Sequence, residues 1–352
     1  MTGKMTRRQM LATGAASAGI IMGAGCTSGT PPEQQTEKGP GLEPFWDPGP
    51  DKNLVRDLTP GPTPIRIGGF LSPGISQRDK IPLTESVKKL TEQGYSGCHL
   101  DPGVIHELKD SELRELNTAL KEYDLVVYEV GGYQNMIHPD TATREKNLKY
   151  LTWCLEAAEK VNCPMVGTCT GSCDPQYYIG VHPDNWTLET WKLTIESIKK
   201  ILSDTAGLKA ALGIEAQVTM NIDSPKAHKR LNDDVGDPRC AVNLDPVNMC
   251  SLATYYHTTE LINECFDLLG ESILGAHAKD TYIWPDQQTV HVQEVASGRG
   301  VMDYETYLVR LSRMEWPRTI LPEHVPPEQI IEAGEYIRKV AANVGVEIHG
   351  DI

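Results

Sequence analysis

The chain has 352 residues, 39% of them hydrophobic, and a formal net charge of −15. Length and apolar content suffice for the buried core of one large domain. The acidic balance excludes nucleic acid as a partner, because phosphates require a basic face.

Residues 1–26, MTGKMTRRQMLATGAASAGIIMGAGC, have a basic start, an apolar middle and a small-residue end, the layout of an export signal. Arg7-Arg8 followed by Gln9-Met10-Leu11 resembles a twin-arginine signal. The stretch after Leu11 is too short and too rich in Gly and Ala for a comfortable membrane span. GAGC before Thr27 resembles a lipoprotein processing site with Cys26 as the acylated residue, so membrane association is expected only through a lipid anchor there. The expected location is therefore the periplasm or a membrane-anchored position outside the cytoplasm. A twin-arginine route carries folded proteins and suits an enzyme that loads a metal before export. Loss of residues 1–26 removes Lys4, Arg7 and Arg8 and no acid, leaving the mature chain more acidic still. Residues 27–62 are rich in Pro, Gly, Thr and Glu and read as a flexible linker.

Strand and helix then alternate. IRIGGF is a first strand, PLTESVKKLTEQ an amphipathic helix, YSGCHLD a second strand. DSELRELNTALKEY is the next helix, with an N-cap at Asp110 or Ser111. DLVVYEVGG, a long helix over TATREKNLKYLTWCLEAAEKV, CPMVGTCTGS and the helix WTLETWKLTIESIKKILSDTA follow. Four further strands read LGIEAQ, CAVNLDPVN, ILGAHAKD and TILPEH, with helices near 225–235, 258–270, 303–315 and 327–344. Eight strands in strict alternation with eight helices predict a parallel sheet, closed into a single-domain (β/α)8 TIM barrel over 63–349. An open doubly wound sheet is the alternative, but no GxGxxG follows the first strand.

Of the nine cysteines, Cys98, Cys163 and Cys240 lie in or beside apolar runs and read as buried thiols. Cys169 and Cys173 share a loop and form a candidate disulfide pair. No second CxxC-like pair supports a zinc knuckle.

Four residues each close one of the last four strands: Glu215, Asp245, His277 and Glu323. In a barrel they meet at the C-terminal mouth. Ionised carboxylates in apolar stretches are costly unless paired or metal-bound. Three carboxylates and one imidazole favour one divalent ion, Mn²⁺, Mg²⁺ or Co²⁺ ahead of Zn²⁺.

On these residues the chain resembles the xylose isomerase-like TIM barrels, often called sugar phosphate isomerases/epimerases. The resemblance spans roughly 63–345 and is carried by GIEAQ, NLDPVN, HAKD and LPEH, with Ser224-Pro225 and GRGVMDY (Gly298 to Tyr304) in support. It implies that Glu215, Asp245, His277 and Glu323 bind the metal, and that Glu215 and Glu323 also move protons as catalytic residues. The chemistry implied is enediolate formation from a chelated sugar. The ketose 3-epimerase branch usually carries a histidine where Asn248 stands. Relatives are often dimers, so a homodimer is a candidate state.

Further candidates for substrate binding are Asn248, Lys279, Arg299, His99, Glu129 and Gln217. Lys279 and Asp280 follow His277; Arg299, between glycines, reaches over the mouth; His99 and Glu129 end strands two and three; Gln217, two past Glu215, shares its face. Trp186 and Trp284 are candidate stacking residues or ordinary packing. His324 is expected to point away from the mouth by strand alternation. The remaining histidines read as helix or loop residues.

The expected function is an exported metal-dependent isomerase or epimerase acting on a non-phosphorylated sugar or keto-sugar. The alternatives are a lyase or dehydratase eliminating from a 3-keto-sugar or glycoside, and a non-catalytic carbohydrate-binding lipoprotein. An endonuclease IV-like role, with several metals and more histidines, conflicts with the acidic balance.

Overall fold

Short, nearly all-apolar strands buried on both faces and amphipathic helices between them leave one economical arrangement, a parallel sheet wrapped by its own crossovers. In a computed structural model the elements run β1 (Arg66–Leu71), α1 (Leu83–Glu92), β2 (Gly97–Leu100), α2 (Pro102–Glu107), α3 (Asp110–Glu122), β3 (Val126–Gly131), α4 (Thr141–Lys160) and β4 (Met165–Cys169). They continue with α5 (Leu188–Asp204), β5 (Ala211–Glu215), α6 (Pro225–Val235), β6 (Cys240–Leu244), α7 (Thr258–Leu269), β7 (Ile273–Ala278), β8 (Asp280–Ile283), β9 (Val292–Val295), α8 (Tyr304–Ser312), β10 (Thr319–Pro322) and α9 (Ile330–Val344). The structure describes residues 54–71, 82–286, 288–324 and 329–350, which fall in the compact unit Asp47–Ile352. The expected export signal, Cys26 and the linker up to residue 53 lie outside the described residues.

The barrel closes in the order β1-β10-β7-β6-β5-β4-β3-β2. The seam pairs Arg66 with Thr319 and Ile67 with Ile320, parallel. This is the (β/α)8 barrel expected. Ile67, Val166, Leu212, Val242 and Ile320 on the strands and Leu151, Leu155, Ile198 and Ile201 on the helices are buried together. Burying each such side chain contributes roughly 1.5–3 kcal/mol.

Helix ends follow local chemistry. Asp140 accepts the Thr143 N–H at 2.8 Å to start α4, and Ser224 accepts the Ala227 N–H at 3.3 Å to start α6, with Pro225 in its first turn. Gly236 (φ 69) stops α6 in the left-handed conformation. The cap of α3 falls at Lys109, earlier than the Asp110 or Ser111 expected, with the Glu112 carboxylate accepting the Lys109 N–H at 2.9 Å.

Three features were not foreseen. The short α2 forms because Asp101 accepts the Gly103 N–H at 2.7 Å and Pro102 pre-sets the first turn. Strands β8 and β9 pair antiparallel as a ribbon in the loop after β7. Residues 56–62, expected in the linker, dock on α8: Arg56 pairs with Asp303 at 2.9 Å and Glu305 at 2.8 Å, and Arg313 donates to the Thr59 carbonyl at 2.6 Å. Among the described residues no helix is long and apolar enough to cross a membrane.

Candidate metal centre

Parallel strands present all their C-terminal ends on one rim, so residues that end neighbouring strands converge. Glu215 is the last residue of β5, Asp245 follows β6, His277 is next to last in β7, and Glu323 follows β10. Those four strands are consecutive around the barrel. One ligand atom from each of the four residues lies within 4.8 Å of all the others. His277 Nδ1 is 3.6 Å from Glu215 Oε2, 3.7 Å from Asp245 Oδ2 and 3.0 Å from Glu323 Oε2.

The donor set fits a divalent cation. His277 Nδ1, Asp245 Oδ2 and Glu323 Oε2 are buried and have no hydrogen-bond partner. Orphaned acceptors facing one another at this depth repel unless a cation or a proton lies between them. On the far side of the ring, His277 Nε2 lies 3.1 Å from Glu129 Oε2. Donation of the Nε2–H to that carboxylate leaves the Nδ1 lone pair for a cation. Glu129 has room on β3 because Gly167 stands opposite: a Cβ there would lie 2.0 Å from Glu129 Oε1.

Lys279, whose side chain is 1% exposed, brings a buried ammonium into this cluster. Its Nζ is 2.8 Å from both Asp245 Oδ2 and Glu323 Oε2, without hydrogen-bond geometry to either, and 3.9 Å from Glu215 Oε1. Tyr133 donates its hydroxyl to Glu215 Oε2 at 2.8 Å and sits 3.1 Å from Glu129 Oε1. The Asn248 amide donates to Glu215 Oε1.

These contacts push the carboxyl groups apart in acidity. Burial raises the pKa of Glu215, and His277 and Lys279 offset only part of that. Burial acts the same way on Glu323, but His277 and Lys279 outweigh it and hold that carboxyl well below the usual range. Asp245 is lowered to about 2, burial being overcome by Lys279 and His277. Burial disfavours a charged His277, yet Glu323 and Glu215 raise it well above the ordinary histidine value. The two neighbouring carboxyls thus differ in direction, Glu215 toward the protonated form and Glu323 toward the ionised one.

The mouth encloses a cavity of about 370 Å³, lined by Glu215, Gln217, Asn248, Lys279 and Glu323 among the expected residues. A larger surface groove of about 600 Å³ between α1 and α3 lies away from this chemistry. Glu129 is in the centre as the partner of His277. His99 does not line the cavity; its ring tilts on Phe70, centroids 5.4 Å apart, with a buried and unpartnered Nδ1. Arg299 is not over the mouth: it pairs with Glu332 on α9 at 2.6 Å. Trp186 donates to Asp223 and Trp284 to Gln293, and neither lines the cavity. The aromatic walls are instead Tyr133 and Tyr178. His324, expected to face away, lines the cavity, because β10 ends at Pro322 and His324 turns with φ 52. Glu294, on β9, also lines it. Asp280 is structural: it accepts the N–H groups of Thr281 and Met302 at 2.9 Å and of Gly298 at 3.0 Å. Cys169 and Cys173 are free thiols.

Reading along the chain missed Tyr133, Tyr178 and Glu294. Tyr133 lies four residues past Glu129, just beyond β3, a position that signals the rim once the barrel is assumed.

The family described as xylose isomerase-like TIM barrel matches residues 87–340. Among solved structures, a magnesium complex of a xylose isomerase-like TIM barrel protein from Mycobacterium smegmatis is 16% identical, with TM-score 0.55, over 74% of this chain and 88% of that one. A probable 3-DHS dehydratase, AsbF, from Bacillus anthracis is 16% identical, with TM-score 0.59, over 79% of this chain and 99% of that one. The 3-keto-D-glucoside 4-epimerase YcjR from E. coli is 14% identical, with TM-score 0.52, over 79% and 99%. At such identities the likeness is one of fold. No curated protein sequence matches the chain.

Proposed function

We propose, from the premise that this chain belongs to the xylose isomerase-like TIM barrel family, that it is an exported, divalent-metal-dependent isomerase or epimerase of an unphosphorylated sugar or keto-sugar. One observation carries the reading: four ligand atoms of Glu215, Asp245, His277 and Glu323 within 4.8 Å of one another at the barrel mouth. Those residues would hold the ion. A bound divalent ion supplies Lewis-acid polarisation of a carbonyl oxygen, which acidifies the adjacent C–H.

The chain's own groups do the rest. Glu323, with the Lys279 ammonium 2.8 Å from its Oε2, takes the α-proton. Glu215 returns one from its own side of the mouth. Tyr133 and Asn248 hold the Glu215 carboxyl by its two oxygens, which fixes the face from which it works. General acid–base transfer of this kind contributes about 10²–10⁴-fold. The export signal read in residues 1–26 supports an unphosphorylated substrate, since sugar phosphates are scarce outside the cytoplasm.

A lyase reading uses the same first step and then expels a β-substituent. The likeness to a probable dehydratase keeps it in view. Metal analysis of the purified protein, followed by an NMR screen of sugars in D₂O, tests both. Solvent deuterium at one carbon of a free sugar supports isomerisation, and loss of a hydroxyl or aglycone supports elimination. Turnover of sugar phosphates alone would refute the substrate class.

A further inference from the structure

We infer that Glu294 is a specificity-determining residue of the mouth: beside His324 it accepts hydrogen bonds from hydroxyls of a neutral polyol, and its charge turns away a phosphorylated one. The inference rests on the functional reading above and deepens it.

Glu294 comes to the mouth on the β8–β9 ribbon, where it pairs across from Thr281. The ribbon is tied down rather than free. Asp280 gathers the N–H groups of Thr281, Gly298 and Met302, and the Val301 N–H donates to the Thr281 carbonyl at 3.2 Å. Gly300 permits that approach, since a Cβ there would lie 2.2 Å from the Thr281 oxygen. Further along, the Ile283 N–H donates to the Tyr255 hydroxyl at 3.0 Å. The strand that carries Glu294 is thus held at the rim in advance, as a recognition element needs.

Its surroundings favour hydroxyls. Glu294 Oε1 is 3.0 Å from His324 Nδ1 and its Oε2 is 3.5 Å from Lys279 Nζ. The side chain is 34% exposed and lines the cavity. His324 is held there with φ 52, a backbone conformation that non-glycine residues adopt rarely. An ionised carboxylate accepts at two oxygens and suits neighbouring hydroxyls. A phosphate fares differently. Among the described lining residues, the Lys279 ammonium and the His324 ring already face carboxylates. Arg299 is not over the mouth and pairs with Glu332 instead. An entering phosphate therefore meets Glu294 and finds no uncommitted cation among those residues.

The test is calorimetric binding of D-glucitol and D-glucitol 6-phosphate to the Mn²⁺-supplemented protein and to its E294Q and E294K variants. Neither probe has a carbonyl, so turnover does not confuse the reading. The wild type is expected to prefer D-glucitol by about tenfold or more, E294Q to narrow the preference by about tenfold, and E294K to reverse it. E294Q keeps the side-chain shape and serves if E294K misfolds, with circular dichroism as the check. Tighter binding of the phosphate by the wild type, no binding of either probe, or a preference unmoved in E294Q overturns the inference. Deuterium uptake from D₂O by free ketoses is measured in parallel. Uptake with an unmoved preference removes Glu294 alone; a moved preference without uptake into any sugar removes the isomerase reading and keeps Glu294 as a binding residue.

Discussion

His277 Nε2 and Glu129 Oε2 meet at 3.1 Å in a fully buried pair. That contact orients the imidazole so that its other nitrogen faces three carboxylates. Glu129→Gln keeps an acceptor but removes the charge that favours an Nε2–H tautomer. We expect its Mn²⁺ affinity to fall by about 10–100-fold with the fold intact. Calorimetric titration beside a far-UV spectrum checks this, and an unchanged dissociation constant removes Glu129 from the centre.

Metal uptake should release a proton. Burial works against a charged His277, but Glu323 and Glu215 raise its pKa well above the usual value, so an incoming ion displaces the Nδ1 proton. Affinity should therefore rise with pH. The sign for the metal-free chain is opposite: the stability from the raised His277 pKa is complete below the unfolded value of 6.5 and is lost as pH rises through the folded one. Metal at about 100 times its dissociation constant should add about 2.7 kcal/mol. Thermal melts from pH 6 to 9, with and without Mn²⁺, measure both trends. His277→Ala should abolish the metal-induced shift, and a shift that survives would place the ion elsewhere.

The quartet was legible because three acids interrupting buried apolar runs are expensive without a partner, whatever the details of packing. The barrel was legible because eight apolar runs alternate with amphipathic segments. His324 failed because alternation holds only while a strand continues, and β10 stops at Pro322. Arg299 failed for a different reason. Gly300 beside it serves the close packing of Thr281 and Asp280, not loop reach. Glu294 was hidden because the β8–β9 ribbon is short and β9 is largely exposed, so no apolar period marks it. Its position depends on Asp280, fourteen residues earlier, whose hold on the N–H groups of Thr281, Gly298 and Met302 leaves no mark in the sequence.

Lys279 offers a test of how the centre balances its charge. Its ammonium lies between Asp245 and Glu323 at 2.8 Å from each. Lys279→Met removes one partner of a buried ion cluster, an act that costs about 3–5 kcal/mol when nothing replaces the charge. Without Mn²⁺ the variant should melt at lower temperature than the wild type. With Mn²⁺ much of that deficit should disappear, because the dication supplies the missing charge. Its Mn²⁺ affinity should be equal to or tighter than that of the wild type, while C–H exchange into sugars drops. Calorimetry and melting curves decide it. Weaker Mn²⁺ binding would mean that the lysine supports the ligands rather than competing with the ion for them.

Residues 56–62, just before β1, form a fixed strap, and its weakest point is predictable. The Gly61 N–H donates to Ser312 Oγ at 2.8 Å, and a Cβ on Gly61 would lie 2.1 Å from the Ser312 carbonyl oxygen. That oxygen is backbone at the end of α8 and cannot step aside as a flexible side chain would. Arg56, by contrast, makes partly exposed ion pairs with Asp303 and Glu305, which solvent screens. Gly61→Ala should therefore destabilise the barrel by about 1–3 kcal/mol through overpacking, whereas Arg56→Ala should cost about 1 kcal/mol or less. Thermal denaturation of the two variants compares them directly. Equal small losses would show that the strap peels from α8 without effect, and that the barrel holds its stability from Thr63 onward.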